Sequence, residues 1–189
     1  GFTDYEELTR TRRLIMRSYK LPGNRLRLLH TNENRGTVTI DEERDYHFRY
    51  VLEDNFGNRR TYQFIVKGKR QDIPEYKPEA NEMLYWNRTN VIQKPGMELV
   101  VPRYHVYENV PLRTDMRGDS SRIAFDYILD AGRTPIHSYC DLSIGLRHMP
   151  VADTTKYYIV QKAGKWRSSM GGKYANGWIK TRVRSLGTF

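Results

Sequence analysis

The feature that most constrains this chain is a regular alternation of apolar and polar residues along two neighbouring segments, 46–52 and 62–66. Alternation with a period of two is typical of β-strands that bury one face. Between the segments lie Asp54, Gly57 and Asn58, residue types that favour a tight reversal of the backbone. We therefore predict an antiparallel hairpin whose apolar face consists of Tyr46, Phe48, Tyr50, Leu52, Tyr62, Phe64 and Val66.

Composition favours an all-β chain. The sequence has 189 residues, enough for one large or two small domains, and 14 of them are tyrosines. Tyrosine combines an apolar ring with a polar hydroxyl, which suits strands that have one face on a core and the other in water. The predicted fold class is all-β, with two β-sandwich modules of the immunoglobulin-like kind.

The chain is predicted to divide into a partial immunoglobulin-like module at residues 1–68, a linker at 69–81 and a second β-sandwich module at 82–189. The linker prediction depends on Pro74 and Pro78, which stand among charged residues without an apolar period.

The first module is short of strands. Besides the hairpin, apolar patterns predict strands at residues 14–19, 25–29 and 37–40; Thr3 and Glu6 have the spacing of a helix capping box, so a short helix near the start is an alternative. Five strands are fewer than the roughly seven of an immunoglobulin-like sandwich. We expect this module to be incomplete. Its aromatic hairpin face is expected to pack on strands upstream, on the second module or on another molecule.

Apolar alternation in the second half predicts about seven strands at the spacing of a β-sandwich. Residues 186–189 begin a further apolar strand, so we expect the intact protein to continue beyond them. The predicted strands include residues 97–101, 106–107, 122–129, 139–146, 156–161 and 178–183.

The net charge of +10 brings nucleic acid, anionic envelope polymers and lipid headgroups into consideration as partners. The basic residues are dispersed, however: Lys180, Arg182 and Arg184 alternate with uncharged residues. This pattern favours solvated strand faces whose charge prevents edge-to-edge pairing. The sequence has no nucleic-acid-binding motif and no apolar run approaching about 18 residues. We predict neither a nucleic-acid partner nor a membrane span.

Candidate catalytic chemistry centres on His137, Cys140 and Asp141. His137 and Asp141 have the spacing by which one segment offers two zinc ligands, but a companion His-x-His motif is absent from the sequence. Cys140 falls on the apolar side of its predicted strand, where a thiol is buried rather than activated. We predict no catalytic residue, no metal site and no cofactor.

Aromatic residues of the second half are the candidates for ligand binding. The aromatic residues of this half offer rings on which sugars stack, although core and rim packing is the default role of such residues. They are Trp86, Trp166, Trp178, Tyr157 and Tyr158. Tyr157 and Tyr158 point to opposite faces if both lie in one strand, so at most one of them joins such a platform. The ligand-binding candidates are Trp166, Trp178 and Tyr158.

Several motifs resemble a known family. Residues 46–58 and 62–68 resemble the repeat that closes an immunoglobulin-like module in lysostaphin-type, peptidoglycan endopeptidase-like proteins of Gram-negative gut bacteria, and residues 17–24 resemble a segment upstream in that module. The second half is similar to the module that follows there. Its matching segments are Leu84-Tyr85, Thr134-Pro-Ile-His137, Gly172-Lys-Tyr-Ala-Asn-Gly-Trp178 and Arg184-Ser-Leu-Gly-Thr-Phe189.

The resemblance implies a non-catalytic accessory region of a secreted zinc metallopeptidase, in the periplasm or outer cell envelope. Its partners would be the catalytic domain of the same precursor, which the β-modules would position or regulate, and peptidoglycan or another envelope glycan. The family's catalytic motif is not present here in context, so no catalytic residue is transferred. Two alternatives stay open: a glycan- or anionic-polymer-binding module, and a zinc enzyme in its own right.

Overall fold

The computed structural model describes residues 3–75, 77–119 and 121–189. Backbone contacts divide the chain into two compact units. The larger unit combines the residues up to Arg35 with Pro78–Phe189, and the smaller unit is Gly36–Lys77. The N-terminal segment therefore groups with the second half of the chain, whereas the sequence-based partition placed it with the hairpin.

The smaller unit contains the predicted hairpin, which is thereby confirmed. It is a two-stranded antiparallel ribbon of β1 (Asp45–Glu53) and β2 (Arg59–Lys67), paired in register along its whole length. On the aromatic face the rings of Phe48 and Phe64 stack with centroids 5.1 Å apart. Tyr62 on the same face is 62% exposed within the structure described. What covers this face stays a prediction.

The turn of the ribbon is organised by Asp54. Its carboxylate accepts hydrogen bonds from the side-chain amide of Asn58 at 2.8 Å and from the backbone N–H groups of Asn58 and Phe56, both at 2.9 Å. These bonds favour the charged carboxylate, so they lower the pKa of Asp54, with the Asn58 side chain contributing most.

Among its described residues the larger unit has one short α-helix and ten strands. The helix α1 spans Tyr5–Thr11, and a 3₁₀ turn spans Thr154–Lys156. The strands are β3 (Glu82–Leu84), β4 (Asn90–Lys94), β5 (Met97–Val101), β6 (Val110–Arg117), β7 (Asp126–Asp130), β8 (Cys140–Gly145), β9 (Ile159–Ala163), β10 (Trp166–Gly171), β11 (Lys173–Ala175) and β12 (Trp178–Val183).

These strands form a β-sandwich. One sheet has the order β11-β12-β8-β5-β4, and the other strands form a β3-β6-β7 sheet and a β9-β10 hairpin. Thr188 makes antiparallel bridges to Ile128 of β7 and to Lys162 of β9, so the C-terminal segment joins these two groups into one layer. Phe189 exchanges two backbone hydrogen bonds of 2.9 Å with Tyr127. The all-β prediction is confirmed.

Inward-facing residues of both layers share one core. On β8 the buried residues Cys140, Leu142 and Ile144 alternate with less buried ones, as the sequence pattern predicts. Leu112 and Leu129 of the opposite layer are fully buried in the same cluster. The core therefore lies between the two layers. Polar residues face outward from the strands.

Three predicted strands of the N-terminal region are wrong. Residues 14–19, 25–29 and 37–40 lie in loops and turns, apart from an isolated bridge between Met16 and Thr3. Most of their apolar side chains are exposed. Alternation marks a strand only where a neighbouring strand pairs with it, and none of these segments has such a neighbour among the described residues.

The alternative of a short helix near the start is confirmed. Asp4, rather than the predicted Thr3, caps α1: its side chain accepts a 3.1 Å hydrogen bond from the backbone N–H of Glu7. Arg12 ends the helix with a left-handed φ of 61°.

In the second half, β5 and β12 match their predicted ranges, whereas two predicted strands start late. The strand predicted at residues 122–129 begins at Asp126, and the one predicted at 156–161 begins at Ile159. The strand predicted at residues 106–107 is wrong, because this segment belongs to a loop between β5 and β6. That loop forms one wall of the site described next.

Candidate functional site

The larger unit carries a surface cleft of about 340 Å³ between an N-terminal turn and the β5–β6 loop. We call it the Tyr104 cleft. Its lining residues are Gly23, Asn24, Arg25, Leu26, Arg103, Tyr104, His105, Tyr107 and His137.

A predicted turn brings the N-terminal wall into place. Asn24 donates its backbone N–H to the carbonyl of Leu21, which closes the Leu-Pro-Gly-Asn turn. Gly23 then donates to the carbonyl of Tyr107 at 2.6 Å. A Cβ at position 23 would lie 2.8 Å from that carbonyl oxygen, so only glycine allows the two backbones to approach this closely.

Tyr104 is held in a conformation that tyrosine rarely adopts. Its φ of 68° lies in the left-handed region, which is unfavourable for a bulky side chain. A 2.9 Å hydrogen bond from its N–H to the carbonyl of Trp86 and a ring contact with the Trp86 indole, at 6.0 Å between centroids, hold it there. Strained residues of this kind concentrate at ligand-binding sites.

Two arginines lie against the ring of Tyr104. The guanidinium carbon of Arg103 is 4.4 Å from the ring centroid, and that of Arg25 is 5.0 Å away. Both distances are within the range of cation–π attraction. Both arginines are exposed, and neither forms a salt bridge among the described residues. Their donors are therefore available to a ligand.

Two histidines extend the basic character of the cleft. Nδ1 of His137 shares a 2.8 Å hydrogen bond with the hydroxyl of Tyr107, and His137 donates its backbone N–H to the carbonyl of His105. Arg184 donates from its guanidinium to the His137 carbonyl at 3.4 Å. None of the described lining residues is acidic, so the cleft is suited to an anion.

Asn24 is buried behind the wall of the cleft. The residue is 4% exposed, and its side-chain oxygen accepts a 3.0 Å hydrogen bond from the backbone N–H of Leu26. Its amide nitrogen is buried and donates to no group among the described residues. A buried amide nitrogen without an acceptor is costly, so the tight turn at Asn24 carries a small local penalty.

The structure does not gather the aromatic residues singled out from the sequence. Trp166 and Tyr158 are exposed near opposite ends of the β9–β10 hairpin, about 15 Å or more apart by strand rise. Trp178 lies on β12, in the other sheet. No ring contact joins any two of them in the described part of the chain.

The residues considered for catalysis are also separated. Cys140 is fully buried, and burial, followed by the nearby Asp141 charge, raises the pKa of its thiol to about 12. Asp141 is exposed on the outer face of β8, whereas His137 lies in the Tyr104 cleft. Over the described ranges, no group of three or more His, Cys, Asp or Glu residues is placed to hold a metal ion.

Sequence reasoning missed the central residues of the cleft. The cleft brings together two segments that are distant in sequence: one contains Arg25, and the other contains Arg103 and Tyr104. The first of them was predicted to be a strand at residues 25–29. Only the Pro-Gly-Asn turn gave a signal, since it predicts a reversal next to Arg25. It carries no information about which loop the turn meets.

The fold and the cleft define a β-sandwich module with an aromatic, basic surface site. Residues 81–189 match the model of the Zu5-like domain, which is more than half of the chain. The chain therefore belongs to the Zu5-like domain family. The matched region contains Arg103, Tyr104 and His137, while Arg25 lies outside it. No curated protein and no solved structure matches the chain.

The described residues include no helix that is long and apolar enough to cross a membrane; α1 has seven residues.

Proposed function

We propose that the chain is a non-catalytic binding module whose Tyr104 cleft holds a negatively charged group of an envelope polymer. The observation that carries this proposal is the placement of Arg25 and Arg103 against one tyrosine ring, in a cleft whose described lining includes no acidic residue.

The chemistry of the cleft suits a carboxylated sugar. Arginine presents a planar fork of donors that binds a carboxylate through two hydrogen bonds at once. The ring of Tyr107 offers an apolar surface beside these donors, and aromatic rings pack well on the C–H faces of sugars. The volume of about 340 Å³ is at the lower end of small-ligand sites, roughly 300–1,000 Å³. It therefore suits one unit of a chain rather than a large cofactor.

The proposal that the module is not an enzyme is supported by the surroundings of its reactive groups. A thiol with a raised pKa, such as Cys140, is mostly protonated at neutral pH and is a poor nucleophile. Asp141 lies on the outer face of β8 rather than in the cleft. His137 uses Nδ1 to bond Tyr107, so the cleft positions this ring as a polar wall.

We further propose that binding serves a peptidoglycan endopeptidase domain of the same precursor, in the periplasm or outer cell envelope. This part of the proposal depends on the sequence resemblance of residues 46–68 and of the second half to accessory modules of such proteins. A module that holds an envelope polymer would fix the distance between that polymer and an attached catalytic domain. Peptidoglycan or another envelope glycan would then be the partner.

The proposed binding is tested by isothermal titration calorimetry with galacturonate oligomers, which carry one carboxylate per sugar. Replacing both arginines (Arg25→Gln and Arg103→Gln) should weaken binding at least about tenfold, because a hydrogen bond to a charged group contributes about 1.5–3 kcal/mol and 1.4 kcal/mol is tenfold in affinity.

The matched control removes two arginines elsewhere, with Arg59→Gln and Arg60→Gln on β2. It changes the net charge equally and should alter binding less than about twofold at moderate salt, because distant exposed charges are screened. Equal losses in both double variants would show that only net charge matters. That outcome, or unchanged binding in the cleft variant, would refute the proposed site.

A further inference from the structure

A row of basic side chains leads away from the Tyr104 cleft along the outer face of β12. Lys180 and Arg182 point to the same face because they are two residues apart on a strand. Arg184 follows them and bonds the carbonyl of His137 in the cleft. Lys173 on β11 is the direct cross-strand partner of Lys180. We call these four residues the basic row: Lys173, Lys180, Arg182 and Arg184.

The cations of the basic row form no salt bridge with any described residue. Arg182 lies directly across from Asp141, yet its guanidinium carbon is placed 5.4 Å from the ring centroid of Tyr139 instead. The row therefore forms no close ion pair, although Asp141 and Glu98 lie on the same face.

Protection of a sheet edge, which the sequence pattern suggested, explains only part of the row. Lys173 lies on the edge strand β11, and β11 pairs with β12 only as far as Lys180, so edge protection suits Lys173 and Arg182. It does not suit Lys180. Lys180 lies between two paired neighbours, Lys173 on β11 and Ser143 on β8, so its position has no free edge to protect. Like charges directly opposite each other destabilise a sheet. The Lys173–Lys180 pair therefore carries a cost that a bound anion would relieve.

Building on the proposed function of the cleft, we infer that the basic row extends the site and that the ligand is a linear acidic polysaccharide. One charged sugar occupies the Tyr104 cleft, and the following units run along β12 over Arg184, Arg182 and Lys180. Four residues of strand span about 13 Å, so the row adds contacts for several sugars.

The acidic residues beside the row favour a polysaccharide over nucleic acid. Glu98 and Asp141 lie next to the row on β5 and β8, so this face carries charges of both signs. Carboxylates repel a phosphate backbone, but they accept hydrogen bonds from hydroxyl groups. A polysaccharide offers such hydroxyl groups on every unit, whereas a deoxyribose-phosphate backbone offers none along its length.

The test compares galacturonate with its oligomers up to the octamer, again by calorimetry. For the natural chain, affinity should rise with oligomer length until the row is filled. In the double variant Lys180→Gln and Arg182→Gln, the octamer should lose at least about tenfold in affinity, while the single sugar should lose less than about twofold. In this variant the increase in affinity with oligomer length should largely disappear.

The control for this test is Lys165→Gln with Arg167→Gln at the exposed turn of the β9–β10 hairpin, which removes the same charge and should leave the length dependence unchanged. Circular dichroism would establish that each variant is folded.

The outcomes separate the two proposals. If the row variant binds the octamer as well as the natural chain while the cleft variant does not, the inference fails and the proposed cleft stands. If the cleft variant retains binding of the single sugar, the proposed cleft fails by itself. If a thymidylate octamer binds more tightly than the galacturonate octamer and depends on the same row, the assignment to a polysaccharide is overturned.

Discussion

At the scale of the residue, the site depends on one tyrosine in a strained backbone conformation. A left-handed conformation costs a residue with a side chain roughly 1–2 kcal/mol. The contact between the rings of Tyr104 and Trp86 offsets this cost, because aromatic pairs stabilise a fold by about 0.5–1.5 kcal/mol. Stability alone therefore does not favour tyrosine at this position, whereas a role in binding does.

The variant Tyr104→Asn separates these roles. Asparagine tolerates the left-handed region, so relief of strain should offset the lost ring contact, and the free energy of unfolding should change by less than about 1 kcal/mol. The affinity for galacturonate oligomers should fall about tenfold because the ring that orients both arginines is gone. Urea unfolding and calorimetry measure the two effects.

Tyr158→Asn is the control, because Tyr158 is an exposed tyrosine outside the cleft. It should alter neither stability nor binding appreciably. Wild-type affinity in Tyr104→Asn, or an equal loss in Tyr158→Asn, would contradict the role given to Tyr104.

At the scale of the element, the C-terminal segment closes the sandwich. Thr188 bridges β7 and β9, and the Phe189 side chain is 4% exposed within the common core. The segment makes the backbone connection between the β3-β6-β7 sheet and the β9-β10 hairpin, and the ion pair of Lys162 with Asp126 adds a side-chain connection. A short stretch of chain thus completes a sheet that would otherwise be divided.

Replacing Phe189 by alanine should lower the free energy of unfolding by about 3–5 kcal/mol, the usual loss for a buried phenylalanine. Phe56→Ala is the matched control, because Phe56 is 92% exposed in the ribbon turn and its loss should cost less than about 0.5 kcal/mol. Chemical unfolding followed by tryptophan fluorescence measures both. Similar midpoints for the two variants would contradict the closing role of the segment.

The strands that could be predicted from the sequence are those whose apolar alternation coincides with pairing to a neighbouring strand. The hairpin was predictable because alternation and a Gly-Asn turn coincide, and β12 was predictable because buried Ile179 and Val183 alternate with charged residues. The patterns at residues 14–19 and 25–29 look similar, yet these segments have no strand beside them. Hydrophobic periodicity shows that a segment could form a strand with one apolar face. It does not show whether another strand lies beside that segment to pair with it.

At the scale of the whole molecule, fold class was predictable and the site was not. The all-β fold class follows from segments in which tyrosine and other apolar residues alternate with polar ones, which is a local property of the chain. The Tyr104 cleft arises where the turn at Gly23 meets the loop that carries Arg103, and this meeting is a tertiary contact with no local signature. Reasoning from aromatic residue types led instead to Trp166, Trp178 and Tyr158, which the structure does not bring together.

The central claim is that an acidic polysaccharide binds in the Tyr104 cleft, and amide chemical-shift mapping during titration with the galacturonate octamer tests it most directly. The account predicts shifts that concentrate at residues 23–26, 103–107 and 137, with a second set at 180–184. Shifts confined to the surroundings of Tyr158 and Trp166 or to the β1–β2 ribbon, or no shifts at low salt, would contradict it.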